Sequence, residues 1–132
     1  MARDVSPQVS ERALVAGLFG AYYHVLRLPF RQDSPRVQAK TRGKLRIDYN
    51  EKNVGYNKLR ESLLAIGDIV EITPDANNAD TWVINAVEKR RNAIHRASFD
   101  RQQCLAANVD GVIIMASIRS PDFNLGFVER CL

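Results

Sequence analysis

Lysine and arginine side chains cluster where the chain leaves its most strand-like stretch. Residues 67–73 and 81–87 are two runs rich in β-branched residues, separated by a polar turn. The second run passes directly into a basic cluster made of Lys89, Arg90, Arg91 and Arg96. A strand that ends in such a cluster places cations at one rim of a sheet, a geometry that suits phosphate groups. The alternative is a hairpin with a solvated basic end, because clusters of this kind are weak motifs.

A second set of cations alternates with small residues along residues 36–46. The polar set is Arg36, Gln38, Lys40, Arg42, Lys44 and Arg46, and the small or apolar set is Val37, Ala39, Thr41, Gly43 and Leu45. Alternation with a period of two predicts a strand with five cations and Gln38 on one face and the small residues inward. The positive charge of this row must be balanced by a bound anion or screened by solvent. The row is therefore either an anion-binding face or a solvated outer face.

Charge is segregated along the chain. Residues 36–60 hold eight Lys or Arg and two acids, net +6, whereas residues 61–83 hold five acids and no Lys or Arg, net −5. Residues 84–101 return to net +3, with five Lys or Arg against two acids. The whole chain carries only +4, with a pI of about 9.3. This segregation favours an anionic partner more strongly than the net charge does.

The sequence shows no arrangement of residues typical of catalysis or of metal binding. Cys104 and Cys131 form no CxxC motif and have no nearby pair of histidines, so we predict neither a zinc site nor a catalytic thiol. His24 and His95 have no evident partner for acid–base or nucleophilic chemistry. Free thiols, together with the lack of a signal peptide and of an apolar run of roughly 20 residues, indicate the cytoplasm.

Five short strands must position these side chains. They are predicted at residues 14–19, 22–28, 36–46, 67–73 and 81–89, with the longest connection between the third and the fourth. This order fits an OB-type barrel, a fold that binds oligonucleotides across one sheet face and its loops. A chain of 132 residues is long enough for one such domain.

The remaining segments do not show the pattern of the five barrel strands. Residues 1–12 are predicted to be a mobile arm, and residues 56–66 a short helix because their apolar positions have helical spacing. Residues 97–108 resemble a connector. Residues 109–118 form a continuous apolar run, which is typical of a strand buried on both faces of an α/β sheet. A helix is predicted to start at residues 120–122.

Several short motifs follow one another in an order that resembles a known family. They are RGKLR at 42–46, IGD at 66–68, KRRN at 89–92 followed by Arg96, Gln102-Gln103, AANVDGVIIM at 106–115 and SPDFNLGFVERCL at 120–132. This succession is similar to the N-terminal part of the ribosome small-subunit-dependent GTPase A family, over about residues 14–132. In that family an OB domain precedes a circularly permuted GTPase domain, and a zinc-binding domain closes the chain.

The resemblance implies a ribosome biogenesis GTPase whose OB domain docks on rRNA of the small (30S) subunit late in its maturation. The sequence ends before the family's NKxD, P-loop and DxxG motifs and before its zinc ligands, and its last lysine is Lys89. We therefore expect a fragment or truncated form: an arm at 1–12, an OB domain at 13–97, and a linker with the start of the GTPase domain at 98–132. GTP, Mg²⁺ and a structural Zn²⁺ are expected only in the full-length family member.

On this reading, cations of both basic segments contact phosphates and thereby position the barrel on the RNA backbone. They are Arg42, Lys44, Arg46, Lys89, Arg90, Arg91 and Arg96. Tyr22, Tyr23 and Trp82 are candidates for stacking on unpaired bases, with a place in the core as the alternative for each.

Two further hypotheses stay open at this point. The barrel could be a protein–protein interaction module that turns the same face toward an acidic protein. The apolar run at 109–118 must find cover for its side chains and backbone groups. It is expected to fold back on the barrel, to pair with a second copy of the chain, or to be covered by the rest of its domain in a longer chain.

Overall fold

The computed structural model describes residues 9–47, 64–98 and 101–131. Residues 56–63 of the predicted helix and residues 1–8 of the predicted N-terminal arm lie outside these ranges. Residues 64–66 are described and are not helical, so the predicted helix does not extend to residue 66. Glu11 and Arg12, predicted as part of the arm, belong to the first strand. Five strands form a closed barrel: β1 (Glu11–Phe19), β2 (Tyr22–Arg27), β3 (Val37–Ile47), β4 (Ile69–Asp75) and β5 (Asn78–Val87).

The barrel closes in the order β1-β2-β3-β5-β4, with β4 pairing back onto β1. Its neighbouring strands are antiparallel except β3 and β5, which run parallel. This is the five-stranded OB-type barrel predicted from the sequence, and each of the five predicted strands is confirmed.

Alternating side chains fill the interior. The buried cluster consists of Ala13, Val15, Val25, Ala39, Leu64, Val70, Ile72, Ile84 and Val87. Removing each of the larger side chains from water contributes roughly 1.5–3 kcal/mol, so this cluster holds the barrel closed. On β3 the predicted alternation is confirmed where side chains are described, with Ala39 buried and Gln38 and Arg42 exposed.

Two local features shape the hairpin of β1 and β2. The strands are joined by the two-residue turn Gly20-Ala21, and Gly20 adopts a left-handed φ of 58° that favours glycine in such turns. The register shifts between Val15 and Gly17, a bulge that bends β1 around the barrel. The turn places Phe19 directly opposite Tyr22.

A second hairpin lies outside the barrel. It is formed by β6 (Ala93–Ser98) and β7 (Arg101–Ala107), and the residue pair Ile66 and Ala106 connects it to the barrel through an isolated parallel bridge. The prediction of a connector over residues 97–108 is therefore wrong. Residues 101–107 contain no β-branched or aromatic residue, so their strand forms through pairing with β6 and not through local preference.

Beyond β7 the chain has little regular structure. A helix is confirmed here as α1 (Leu125–Cys131), but it begins later than the predicted residues 120–122. It starts after Asn124, whose Oδ1 accepts a hydrogen bond from the amide of Phe127 at 3.0 Å. The prediction of a buried strand at 109–118 is wrong for the described structure: this run pairs with no described strand, and Val112, Ile113, Met115 and Ile118 are exposed. Without a neighbouring strand, its backbone groups have no ladder to join. The described helix is too short to span a membrane.

Candidate nucleic-acid interface

The outer face of β3 presents the first group of predicted cations. Arg42 is exposed there, as are Gln38 and, just before the strand, Arg36. Lys44 and Arg46 belong to the same strand, but their side chains lie outside the described part of the structure. Within that part, no ion pair neutralises Arg36 or Arg42.

Lys40, on the same strand, is already engaged. Its ammonium group pairs with the carboxylate of Asp75 at the end of β4. The hydrogen bond from Lys40 and a second one from the backbone amide of Asn77, at 3.1 Å, hold the pKa of Asp75 below its usual value. Lys40 therefore fastens β3 to β4, and it offers a bound anion less charge than Arg42 does.

Three aromatic side chains cover the outer face of β1 and β2. Phe19 and Tyr22 are register partners, and the ring of His24 lies 4.4 Å from the ring of Phe19. Phe19 is 58 % exposed and Tyr22 is 44 % exposed. Gly17 makes room for this arrangement, because a Cβ at that position would lie 2.9 Å from Cε2 of Phe19. We call Phe19, Tyr22 and His24 the aromatic face.

The aromatic face continues onto β3. His24 is the register partner of Gln38, and partners across an antiparallel pair point to the same side of a sheet. Arg36 and Arg42 alternate with Gln38 along the chain and lie on that side as well. The barrel therefore presents flat rings and unpaired cations side by side.

The three stacking candidates from the sequence separate in the structure. Tyr22 lies on the aromatic face, whereas Tyr23 and Trp82 pack against the buried core. Burial raises the pKa of Tyr23. The guanidinium carbon of Arg27 lies 4.9 Å from the centre of the Trp82 ring and covers one of its faces. For Tyr23 and Trp82 the structure thus favours the core alternative.

Phe19 and His24 were not identified as site residues from the sequence. The signal that could have found them is the two-residue turn, which sets the register of the hairpin and brings Phe19 beside Tyr22. The outward position of His24 then follows from alternation with the inward Tyr23 and Val25.

The second basic cluster contains one exposed lysine and three arginines with different surroundings. Lys89 and Arg96 are exposed and form no ion pair with a described residue. Arg90 instead forms two hydrogen bonds to the buried carboxylate of Asp68, at 2.7 and 2.8 Å. Arg91 donates to Asp110 at 2.6 Å and to the carbonyl oxygens of Asn108 and Val109.

The parallel pairing of β3 and β5 brings the two basic segments to one rim. Arg46 is the register partner of Ala86, and Ile47 is the partner of Val87, two residues before Lys89. The backbone therefore places the end of the β3 row next to the start of the second cluster. Two other surface arginines are neutralised, since Arg12 pairs with Glu88 and Arg27 with Glu11. These contacts raise the pKa of both arginines and lower the pKa of Glu88.

The described residues, 9–47, 64–98 and 101–131, contain no group of three His, Cys, Asp or Glu side chains that could hold a metal ion. His24 contacts Phe19, and His95 is exposed on β6. Exposed aromatic rings can stack on the bases of a single-stranded nucleic acid, and exposed cations can contact its phosphates. This surface therefore suits nucleic-acid binding.

Comparison with known proteins identifies several relatives of this chain. The family model of the RsgA GTPase matches residues 87–132. The small ribosomal subunit biogenesis GTPase RsgA of Chlorobaculum tepidum is 36 % identical over 80 residues, which cover 54 % of this chain and 26 % of that protein. The protein of the same name from Ralstonia nicotianae is 37 % identical over 73 residues, or 55 % and 22 % of the two chains.

Two solved structures share the fold. YjeQ from Thermotoga maritima superposes with a TM-score of 0.55 at 22 % identity, covering 93 % of this chain and 36 % of that one. YloQ, a circularly permuted GTPase, superposes with a TM-score of 0.53 at 18 % identity, covering 98 % and 38 %. The molecule thus shares the fold of these two structures, with an OB-type barrel as its main body.

The resemblance predicted from the sequence is confirmed: the chain is similar to the RsgA GTPases. It spans about a quarter of the length of the curated relatives it matches.

Proposed function

We propose that this chain is the rRNA-binding module of a ribosome biogenesis GTPase that acts in late maturation of the small (30S) subunit in the cytoplasm. The observation that carries the proposal is the aromatic face beside the unpaired cations Arg36 and Arg42 on one side of the barrel. Stacking rings bind unpaired bases without regard to sequence, while cations follow the phosphates. The names of the relatives support the ribosomal partner.

All predicted site residues except Tyr23 and Trp82, which pack against the core, have a place in this proposal. Phosphate contacts fall to Arg42, Lys44, Arg46, Lys89 and Arg96. Arg90 and Arg91 hold the chain in place and contribute charge only at longer range. Base stacking falls to Tyr22, extended by Phe19 and His24.

GTP binding and hydrolysis, with Mg²⁺ and a structural Zn²⁺, are proposed to belong to the parts of the relatives that residues 1–132 do not span. No step of that chemistry is assigned to this chain.

Alanine variants of the exposed aromatics test the proposal. Stacking on one base is worth roughly 1–3 kcal/mol, so Tyr22→Ala and Phe19→Ala should each weaken binding of a single-stranded rRNA fragment by about fivefold or more. Phe30→Ala is the matched control, because Phe30 is also 44 % exposed but lies in the loop after β2. Affinities measured by fluorescence anisotropy should separate the two classes. Equal affinity for all three variants would instead favour an acidic protein as the partner.

A further inference from the structure

The carboxylate of Asp68, just before β4, is buried and 0 % exposed. It accepts two hydrogen bonds from the guanidinium group of Arg90, at 2.7 and 2.8 Å, and one from the backbone amide of Ala65 at 2.8 Å. Paired bonds between an arginine and a carboxylate are among the strongest polar contacts in proteins. Arg90 therefore anchors the chain to the barrel between β5 and β6.

The end of β7 is anchored next to the same point. Gly67 has a φ of 95°, and a Cβ there would lie only 1.9 Å from the carbonyl oxygen of Ala107. The amide of Ala107 donates to the carbonyl of Ile66 at 2.8 Å, and Nδ2 of Asn108 donates to the carbonyl of Gly67 at 2.9 Å. Gly67 itself donates to Val15 of β1 at 2.8 Å, so β7 ends against backbone that is fixed to the barrel.

Asn108 also closes the base of the β6–β7 hairpin. Its Oδ1 accepts from the amide of Arg91 at 2.8 Å, and its own amide donates to the carbonyl of Asn92 at 2.9 Å. The side chain of Asn92 exchanges two hydrogen bonds with the backbone of Val109, both at 2.8 Å. Asn108 adopts a φ of 53°, a left-handed conformation that asparagine tolerates better than most residues.

We propose that Gly67, Asp68, Arg90 and Asn108 form a clasp that holds the β6–β7 hairpin in one orientation on the barrel. The match to the RsgA GTPase family begins at residue 87, so the clasp joins the matched segment to barrel residues that lie outside the match. The barrel and this segment then turn as one body, so the orientation of the barrel sets the direction in which residues 109–131 leave it. This role goes beyond RNA binding and does not depend on it.

The bond from Asn108 to Gly67 is the link between the two parts that a single substitution removes most cleanly. Asn108→Asp keeps an acceptor for the amide of Arg91 and tolerates the left-handed backbone, but it replaces the donor with an oxygen that faces the carbonyl of Gly67. Asn92→Asp is the matched control: it makes the same chemical change and loses a donor to Val109 inside the segment, with no bond to the barrel.

The experiment measures the distance between the barrel and the hairpin in the full chain. Spin labels are attached at Glu71→Cys on β4 and Gln103→Cys on β7, both exposed, after Cys104 and Cys131 are replaced by serine. Electron double resonance should give one narrow distance distribution for the parent and for Asn92→Asp. Asn108→Asp should give a broad distance distribution in place of the narrow one, while the thermal melting of the barrel stays cooperative.

Three results would overturn the proposal. One is a distribution for Asn108→Asp as narrow as that of the parent, and a second is equal broadening in Asn92→Asp. The third is loss of cooperative melting in Asn108→Asp, because Asn108 would then be part of the barrel's own stability and not a link to the hairpin.

Discussion

Lys89, Arg90 and Arg91 are three adjacent cations that are equivalent in the sequence, and burial gives them different roles. Lys89 is exposed, whereas the side chain of Arg90 is 13 % exposed and meets a carboxylate that is 0 % exposed. Arg91 is 62 % exposed and bonds to the chain after β7. A sequence pattern identifies the cluster, but only the position of Asp68 in space determines which arginine is withdrawn from the surface.

Replacing Arg90 should be far more damaging than replacing its neighbour. Arg90→Ala leaves the carboxylate of Asp68 buried without its cation, which should lower the free energy of unfolding by roughly 3–5 kcal/mol. Lys89→Ala, at an exposed position, should change it by less than about 0.5 kcal/mol. Urea denaturation followed by circular dichroism measures both. Similar effects for the two variants would show that the ion pair does not anchor the chain.

Asp75 should make the protein sensitive to acid. Its pKa in the folded state is lowered, chiefly by the hydrogen bond from Lys40, so the carboxylate stabilises the fold at pH values above its unfolded pKa of about 4. That contribution is lost as the pH falls through the lower, folded pKa. Asp75→Asn should therefore reduce stability at neutral pH and flatten its decline below about pH 4.

The measurement is the urea midpoint of the parent and of Asp75→Asn across this acidic range. Asp80→Asn removes the same charge from an exposed position on β5 and controls for net charge. If the curves of the parent and Asp75→Asn stayed parallel at all pH values, the ion pair with Lys40 would contribute nothing to the pH dependence.

At the scale of elements, the strands that could be predicted are those in which inward apolar or small residues alternate clearly with outward polar residues. The five barrel strands combine alternation with turn residues, and the small inward side chains of β3 are confirmed where they are described. β7 was missed because its sequence, RQQCLAA, lacks the residues that favour strands, and its conformation depends on pairing with β6. Likewise, Tyr22 and Tyr23 differ only by one step of alternation, and hairpin register decides which is available for stacking.

The segment after β7 should be dispensable for the barrel. Residues 109–118 pair with no described strand, and helix α1 contains no buried residue. A chain ending at Asn108 keeps the hydrogen bond from Asn108 to Gly67 and the Arg90–Asp68 pair. We expect residues 1–108 to melt cooperatively, at nearly the temperature of residues 1–132.

Differential scanning calorimetry of the two chains tests this expectation, and sedimentation velocity shows whether the apolar run at 109–118 also causes self-association. A self-association that disappears on deletion would support pairing through this run. Loss of the cooperative transition in residues 1–108 would mean that the deleted segment belongs to the barrel core.

At the scale of the whole molecule, the barrel places two basic segments, distant in sequence, on one rim, and it turns the aromatic face to the same side as the β3 row. Charge segregation and alternation in the sequence indicated the basic face of β3. The sequence could not show which cations are free, since the partners of Lys40 and Arg12, Asp75 and Glu88, are distant in the sequence, and Arg27 meets Glu11 only through the pairing of β1 and β2. The free set on the described outer surface includes Arg36, Arg42, Lys89 and Arg96.

The salt dependence of binding to a small-subunit rRNA fragment tests the central claim most directly. Each phosphate contact releases counterions, so neutralising one lowers the slope of log affinity against log salt by roughly 1. Arg42→Ala should show this reduction, whereas Arg12→Ala, whose guanidinium is paired with Glu88, should keep the parental slope. Identical slopes for the parent and both variants would contradict the claim that the outer face of β3 binds RNA.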